Sequence, residues 1–217
     1  MHTDVPVLKI GKYRPRYPLI QGGMGVGISG AGLAGSVAKC GAVGTIASVG
    51  LCHNSPLFSV AKHNYFEANA IVIKETLAKA RELAGADGVL AVNCMVALTD
   101  YDTQVRAAAE GGANIIISGA GLPLRLPDYT KDFPDVALVP IVSSAKAASL
   151  IVRHWEKKYG RTPDAFVVEE PATAGGHLGA TTMEQVYDPA LSLGVAVPEV
   201  VKYVAEEMHS DVPVIAA

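Results

Sequence analysis

The chain has 217 residues, of which 50% are hydrophobic and 18% are charged, and its formal net charge is −3. This composition predicts a folded domain with a substantial core and excludes global disorder. The acidic balance and the lack of lysine or arginine runs argue against a nucleic-acid surface, and no apolar run reaches the roughly 18 residues that a membrane-spanning helix needs.

Strand-like and helix-like segments alternate along the whole chain. Short apolar runs predict seven strands, at 18–21, 42–47, 88–93, 114–118, 137–142, 165–169 and 212–216. Helical periodicity and capping residues predict helices between them, through 33–38 after a glycine-rich turn and at 65–83, 99–110, 143–160 and 198–208. The segment 119–135 is expected to be a loop. Each crossover is long enough for a helix, so we expect the strands to pair in parallel.

Two architectures fit this alternation, an open doubly wound sheet and a (β/α)8 barrel. Gly25, Gly27 and Gly30 form a GxGxxG pattern after a strand and before a helix, which is the position of a dinucleotide-binding turn. That fingerprint also requires an acidic residue about 20 positions later. The corresponding stretch reads TIASVGL and has no carboxylate, so the dinucleotide-binding interpretation is disfavoured.

Polar residues at the ends of the predicted strands favour the barrel. They are Gln21, Ser48, Asn93, Ser118, Ser143 and Glu170. In a (β/α)8 barrel the carboxyl ends of the strands converge on the active-site face. We therefore expect residues 1–217 to form one TIM-barrel domain with about seven strands, incomplete at its C-terminal side. Since a seven-stranded barrel leaves an open edge, we expect the natural protein to continue past strand seven.

The stretch AFVVEEPATAGGHLG, residues 165–179, carries the most chemistry. A short buried strand leads to two carboxylates, Glu169 and Glu170. Gly175 and Gly176 follow and allow close approach of the backbone to a ligand, and His177 comes next with a side chain that titrates near neutral pH. The segment is typical of an active-site loop, although a turn with a surface histidine has the same local pattern.

Four segments in order resemble the nitronate monooxygenase family, formerly 2-nitropropane dioxygenase. They are PLIQGGMG at 18–25, VNCM at 92–95, SGAGLP at 118–123 and AGGHLG at 174–179. The family also includes the FMN-dependent enoyl-ACP reductase of the second type. The resemblance implies a (β/α)8 barrel that binds FMN.

The resemblance also implies roles for individual residues. His177 would be the catalytic base near the flavin. The cofactor-binding residues would be Gly22, Gly23, Met24, Asn93, Glu170, Gly175 and Gly176. Two alternatives stay open: Asn93 could have a purely structural role at the end of its strand, and Met24 could be a core residue.

The match departs from the family pattern near the substrate side. Thr173 stands where members often have glutamate, and residues 180–197 form a longer stretch before the next helix. The first expectation is an FMN-dependent nitronate monooxygenase. The alternatives are an FMN-dependent enoyl-ACP reductase using NAD(P)H and a non-catalytic, truncated barrel.

The remaining expectations concern surroundings and partners. Cys40, Cys52 and Cys94 lie far apart without metal-ligand spacing, so we expect reduced thiols in a cytoplasmic protein and no metal site. We expect a small-molecule substrate and neither nucleic acid nor membrane as a partner. A homodimer is left open.

Overall fold

The computed structural model describes residues 6–175 and 182–217. Its centre is a curled sheet of six parallel strands in which each strand pairs with the next along the chain. The strands are β1 (Val43–Ala47), β2 (Val89–Met95), β3 (Ile115–Gly119), β4 (Ala137–Val142), β5 (Phe166–Val168) and β6 (Val214–Ala216). The curled sheet is an incomplete (β/α)8 barrel, as the sequence predicts.

Helices connect the strands. They are α1 (Ala31–Lys39), α2 (Tyr65–Ala84), α3 (Tyr101–Glu110), α4 (Leu126–Tyr129), α5 (Ala145–Tyr159), α6 (Met183–Val186) and α7 (Leu193–Glu206), with 3-10 turns at Leu51–Asn54, Val60–Lys62 and Pro189–Leu191. The predicted caps of α5 are present: the Ser144 hydroxyl accepts the Ala147 N–H, and Gly160 ends the helix with a φ of 61°. No helix in the described part of the chain is long and apolar enough to span a bilayer.

Strand residues alternate between two hydrophobic cores. One core contains no helix residue and fills the concave side of the sheet, with Val43, Ala91, Ile115, Ile117, Val139 and Val167 among its members. The other lies between the sheet and the helices and includes Leu90, Ile116, Leu138, Trp155 and Phe166. This two-sided burial explains why the strands are nearly continuous apolar runs.

The first predicted strand, at 18–21, is shorter than expected. The structure reduces it to a single parallel bridge between Ile20 and Val43. The reason is that the side chain of Gln21 continues the pairing. Its Oε1 accepts the Thr45 N–H at 3.3 Å and its Nε2 donates to the Thr45 carbonyl at 3.0 Å.

Two helical segments also differ from expectation. The predicted loop at 119–135 contains the single-turn helix α4. The last helix begins at Leu193 rather than at 198, so Pro198 lies inside it and not in its first turn. The first buried residue of this helix is Ala196. Its burial favours a helix that begins before Pro198 and offsets the unfavourable effect of the proline.

Two glycines allow helix α1 to pack closely against its neighbours. A Cβ on Gly44 of β1 would lie 1.8 Å from the Ala34 carbonyl oxygen, and one on Gly35 would lie 2.8 Å from the Ala80 carbonyl oxygen. The backbone of α1 therefore lies directly against β1 and α2. This contact fixes the segment that precedes α1.

Candidate functional site

A cavity of about 670 Å³ opens at the carboxyl ends of the strands. It is lined by Ile20, Gln21, Gly22, Gly23, Met24, Gly25, Ile28, Asn93, Ile117, Ile141, Val167, Glu169, Gly175, Ile215, Ala216 and Ala217. This volume lies within the range of small-molecule and cofactor sites, about 300–1,000 Å³, and the position is the active-site face of a barrel.

The lining is mostly aliphatic, with three polar side chains. Ile117, Ile141, Val167 and Ile215 come from four neighbouring strands. Gln21, Asn93 and Glu169 supply the polar groups, and the described lining contains no lysine or arginine. The cavity therefore suits a flat or apolar group that needs a few directed hydrogen bonds.

Residues 22–25 form a glycine-rich wall of the cavity. A Cβ on Gly23 would lie 2.6 Å from the Asn93 Cβ, so the absence of a side chain lets this wall lie against β2. Met24 is 45% exposed, which excludes a core role for it. The structure thus brings together three of the predicted cofactor-binding residues, Gly22, Gly23 and Met24.

The wall is anchored through the buried hydroxyl of Ser29. Ser29 Oγ accepts hydrogen bonds from Gln21 Nε2 at 2.8 Å and from the Met24 N–H at 2.9 Å, and it donates to the Gly22 carbonyl at 3.1 Å. Sequence reasoning missed Ser29. The only local signal is a serine just before a helix.

Asn93 stands at the end of β2 with its backbone fixed and its amide available. Its carbonyl accepts the Ser48 N–H at 3.1 Å and the Ser48 hydroxyl at 2.8 Å. The Asn93 side chain makes no hydrogen bond to another residue within the described ranges, and it lines the cavity. Its amide can therefore both donate to and accept from a ligand.

The two adjacent glutamates have different surroundings. Glu169 lines the cavity, whereas Glu170 Oε2 accepts the Leu193 N–H at 3.3 Å at the start of α7. Strand alternation could have distinguished them, because Val167 faces inward and Glu169 shares its side of the strand. Glu170 is not among the lining residues, and its role as a flavin contact stays a prediction.

The motif AGGH is described only in part. Gly175 lines the cavity, and an added Cβ would have no atom of the described residues within 4 Å. Gly176 and His177 lie outside the described residues. Their assignments as cofactor-binding and catalytic residues stay predictions.

Two other polar residues at strand ends, Ser118 and Ser48, make hydrogen bonds within the protein. Ser118 Oγ lies 2.6 Å from the Tyr101 hydroxyl and donates to the Cys94 carbonyl at 3.1 Å. Ser48 Oγ, besides its bond to Asn93, is in hydrogen-bond contact with the side-chain amide of Gln104. These serines stabilise the rim of the barrel, and neither lines the cavity.

The three cysteines and His53 lie outside the cavity lining. Cys94 is fully buried, and burial raises the pKa of its thiol to about 12, while burial also raises the pKa of Cys52. Cys40 is exposed. His53 packs against Phe58 and Tyr65. Across the described residues there is no group of three or more histidine, cysteine, aspartate or glutamate side chains that could hold a metal ion.

Solved structures with the same fold include two FabK structures and a nitroalkane oxidase. A FabK mutant from Thermotoga maritima matches with a TM-score of 0.66 and 21% identity over 93% of this chain and 53% of that one. FabK from the same organism matches with 0.64 and 22% over 93% and 50%. Nitroalkane oxidase from Streptomyces ansochromogenes matches with 0.65 and 16% over 93% and 58%.

These likenesses show the fold, and the chain spans about half the length of each of the three proteins. Comparison with curated protein sequences finds no match. The sequence model described as nitronate monooxygenase, by contrast, matches residues 7–217. That match covers all but the first six residues, and this chain therefore belongs to the nitronate monooxygenase family.

Proposed function

We propose that this chain is the FMN-binding part of an oxidoreductase that oxidises alkyl nitronates. Members of the family are flavin enzymes. The observation that carries the proposal is the cavity at the strand ends, where glycines and aliphatic side chains surround the side-chain amide of Asn93, which has no hydrogen-bond partner among the described residues.

The residues present fit the ring system of a flavin. Gly22 and Gly23 present backbone without side chains, which permits close approach to a flat ring. Asn93 offers a donor and an acceptor to the polar edge of such a ring. The described lining has no cationic side chain, so the fit concerns the ring rather than the phosphate.

The division of labour follows from these groups. Bound FMN would supply the electron-transfer chemistry, while the protein binds, orients and moves protons. Asn93 and the glycine wall would orient the ring. We assign to His177 the removal of the acidic α-proton of a neutral nitroalkane, which leaves the nitronate that is then oxidised, since a neutral imidazole is a base near neutral pH. The aliphatic lining suits an alkyl substituent.

The test is anaerobic flavin reduction by the 217-residue chain loaded with FMN. We expect a nitronate to bleach the flavin absorbance band and NADH or NADPH to leave it unchanged. Rapid reduction by either nucleotide would replace this function by the enoyl thioester reductase alternative. If the chain takes up no FMN in a fluorescence titration, the non-catalytic alternative remains and the proposal fails.

The role of His177 has its own test. His177→Ala should leave FMN bound and slow flavin reduction by a neutral nitroalkane about 100-fold or more, the usual scale for a lost general base. The matched control is His209→Asn, because His209 is exposed in the loop before β6, and asparagine tolerates its positive φ of 49°. Equal reduction rates in wild type and His177→Ala would remove this residue from the mechanism. A cytoplasmic location and a homodimer stay predictions.

A further inference from the structure

We propose that Ser29 is a positioning residue that holds residues 22–24 in the shape the cavity requires. The effect on flavin affinity rests on the proposed function, whereas the effect on the backbone does not. The cavity wall begins two residues after the bridge at Ile20 and is rich in glycine. A segment of this composition has a large conformational freedom, so something outside it must define its shape.

Ser29 fixes the shape of residues 22–24 through hydrogen bonds made by its hydroxyl, its N–H and its carbonyl. Besides the three hydrogen bonds of its hydroxyl, its N–H donates to the Met24 carbonyl at 3.0 Å, and its carbonyl accepts the Ala47 N–H at 3.0 Å. The residue is fully buried. Within the described residues, each hydrogen bond that joins residues 22–24 to a later part of the chain ends on Ser29.

The same bonds connect the wall to the sheet. Ser29 is bonded to Ala47 at the end of β1, and Gln21, which donates to the Ser29 hydroxyl, is bonded on its other side to Thr45. The rest of the loop offers little more support, since Val26 is 55% and Ile28 is 62% exposed. Ser29 therefore holds the wall in a fixed position relative to β1.

This arrangement determines which backbone groups remain for a ligand. The Met24 N–H and the Gly22 carbonyl are used by Ser29. The N–H groups of Gly22 and Gly23 have no hydrogen-bond partner in the described part of the chain, and both residues line the cavity. We assign to these two amides the role of donors to an acceptor on the bound ring.

The experiment compares three variants. Ser29→Cys keeps the size of the side chain and replaces the hydroxyl by a weak hydrogen-bonding thiol, whereas Ser29→Thr keeps the hydroxyl. Ser36→Ala, at an exposed position of α1, is the control. Hydrogen exchange is measured on protein without added flavin, and FMN affinity is measured by fluorescence titration.

We expect Ser29→Cys to speed amide exchange at Met24 about tenfold and to weaken FMN binding about tenfold, the scale of one lost buried hydrogen bond. Exchange in α5 should not change, and Ser29→Thr should restore most of both losses. Unchanged exchange at Met24 in Ser29→Cys overturns the proposal, as does an equal rise in exchange through α5, which indicates general destabilisation. If wild type binds no FMN, the proposed function fails, and Met24 exchange still decides the positioning role.

Discussion

Replacing Gly44 by alanine tests how tightly α1 is seated on the sheet. The new Cβ would lie 1.8 Å from the Ala34 carbonyl oxygen, about 1.6 Å short of ordinary contact at 3.4 Å, and 2.7 Å from the carbonyl carbon. These are backbone atoms of a helix, so no side chain can rotate away. Overpacking costs roughly 1–3 kcal/mol where side chains can adjust, and we expect about 3 kcal/mol or more here.

The assay is thermal unfolding followed by circular dichroism. For a chain of this size, about 3 kcal/mol lowers the midpoint by roughly 6–12 °C. The control is Gly32→Ala in α1, where an added Cβ has no atom of the described residues within 4 Å. It should leave the midpoint unchanged or raise it, because alanine is the better helix former by about 1 kcal/mol. A Gly44→Ala midpoint within about 2 °C of wild type would refute the close contact between α1 and β1.

The further predictions concern the site and the thiols. Asn93→Leu should weaken FMN binding about tenfold in a fluorescence titration by removing both hydrogen-bonding groups, and an unchanged dissociation constant would exclude the amide from the site. Glu170→Gln should lower the thermal midpoint by a few degrees, since a carboxylate at the start of α7 stabilises the helix by about 0.3–1 kcal/mol, without changing FMN affinity. Glu169→Gln should change FMN affinity and leave the thermal midpoint unchanged. If the two variants behaved alike, the two carboxylates would not have separate roles. A thiol reagent should modify Cys40 alone in the native protein, and because the folded pKa of Cys94 is about 12 against 9.0 for a free thiol, the free energy of unfolding should fall between pH 9 and 12. Urea unfolding at pH 9, 10 and 11 would measure that slope, which approaches about 1.4 kcal/mol per pH unit for this thiol above pH 10, and Cys94→Ala should lower the total slope by that amount.

The barrel could be predicted from the sequence because its determinants are local. The predicted strand at 137–142 matches β4 at both ends, and Ser144 and Gly160 cap the helix that follows, Ala145–Tyr159, as their capping chemistry predicts. Apolar runs of strand length separated by helical periodicity were sufficient to recognise parallel βα units. The position of Asn93 at the cavity followed from the same reasoning, since strand ends converge in a barrel.

What the sequence did not predict depends on contacts between distant residues. The pairing of Gln21 with Thr45 uses a side chain where a strand would use its backbone, and no propensity indicates that. Ser29 acts through residues that precede it in a glycine-rich loop. Pro198 suggested the start of a helix, but burial of Ala196 extends the helix before it. Glu169 could have been predicted from the period-two alternation of β5, because it lies on the same side of the strand as Val167.

The strictly sequential order of the strands has a consequence for how ligand binding is transmitted. Among residues 6–175 and 182–217, each strand pairs only with its neighbours in the chain, so the bridge at Ile20 and the strand β6 form the two opposite margins of the described sheet. The cavity draws on both margins, through Gly22 and Ile215. A ligand that contacts both would act as a non-covalent cross-link between the first and last elements of the sheet. Its binding energy would then oppose opening of every intervening strand, and protection should appear at β3 as well as at the site.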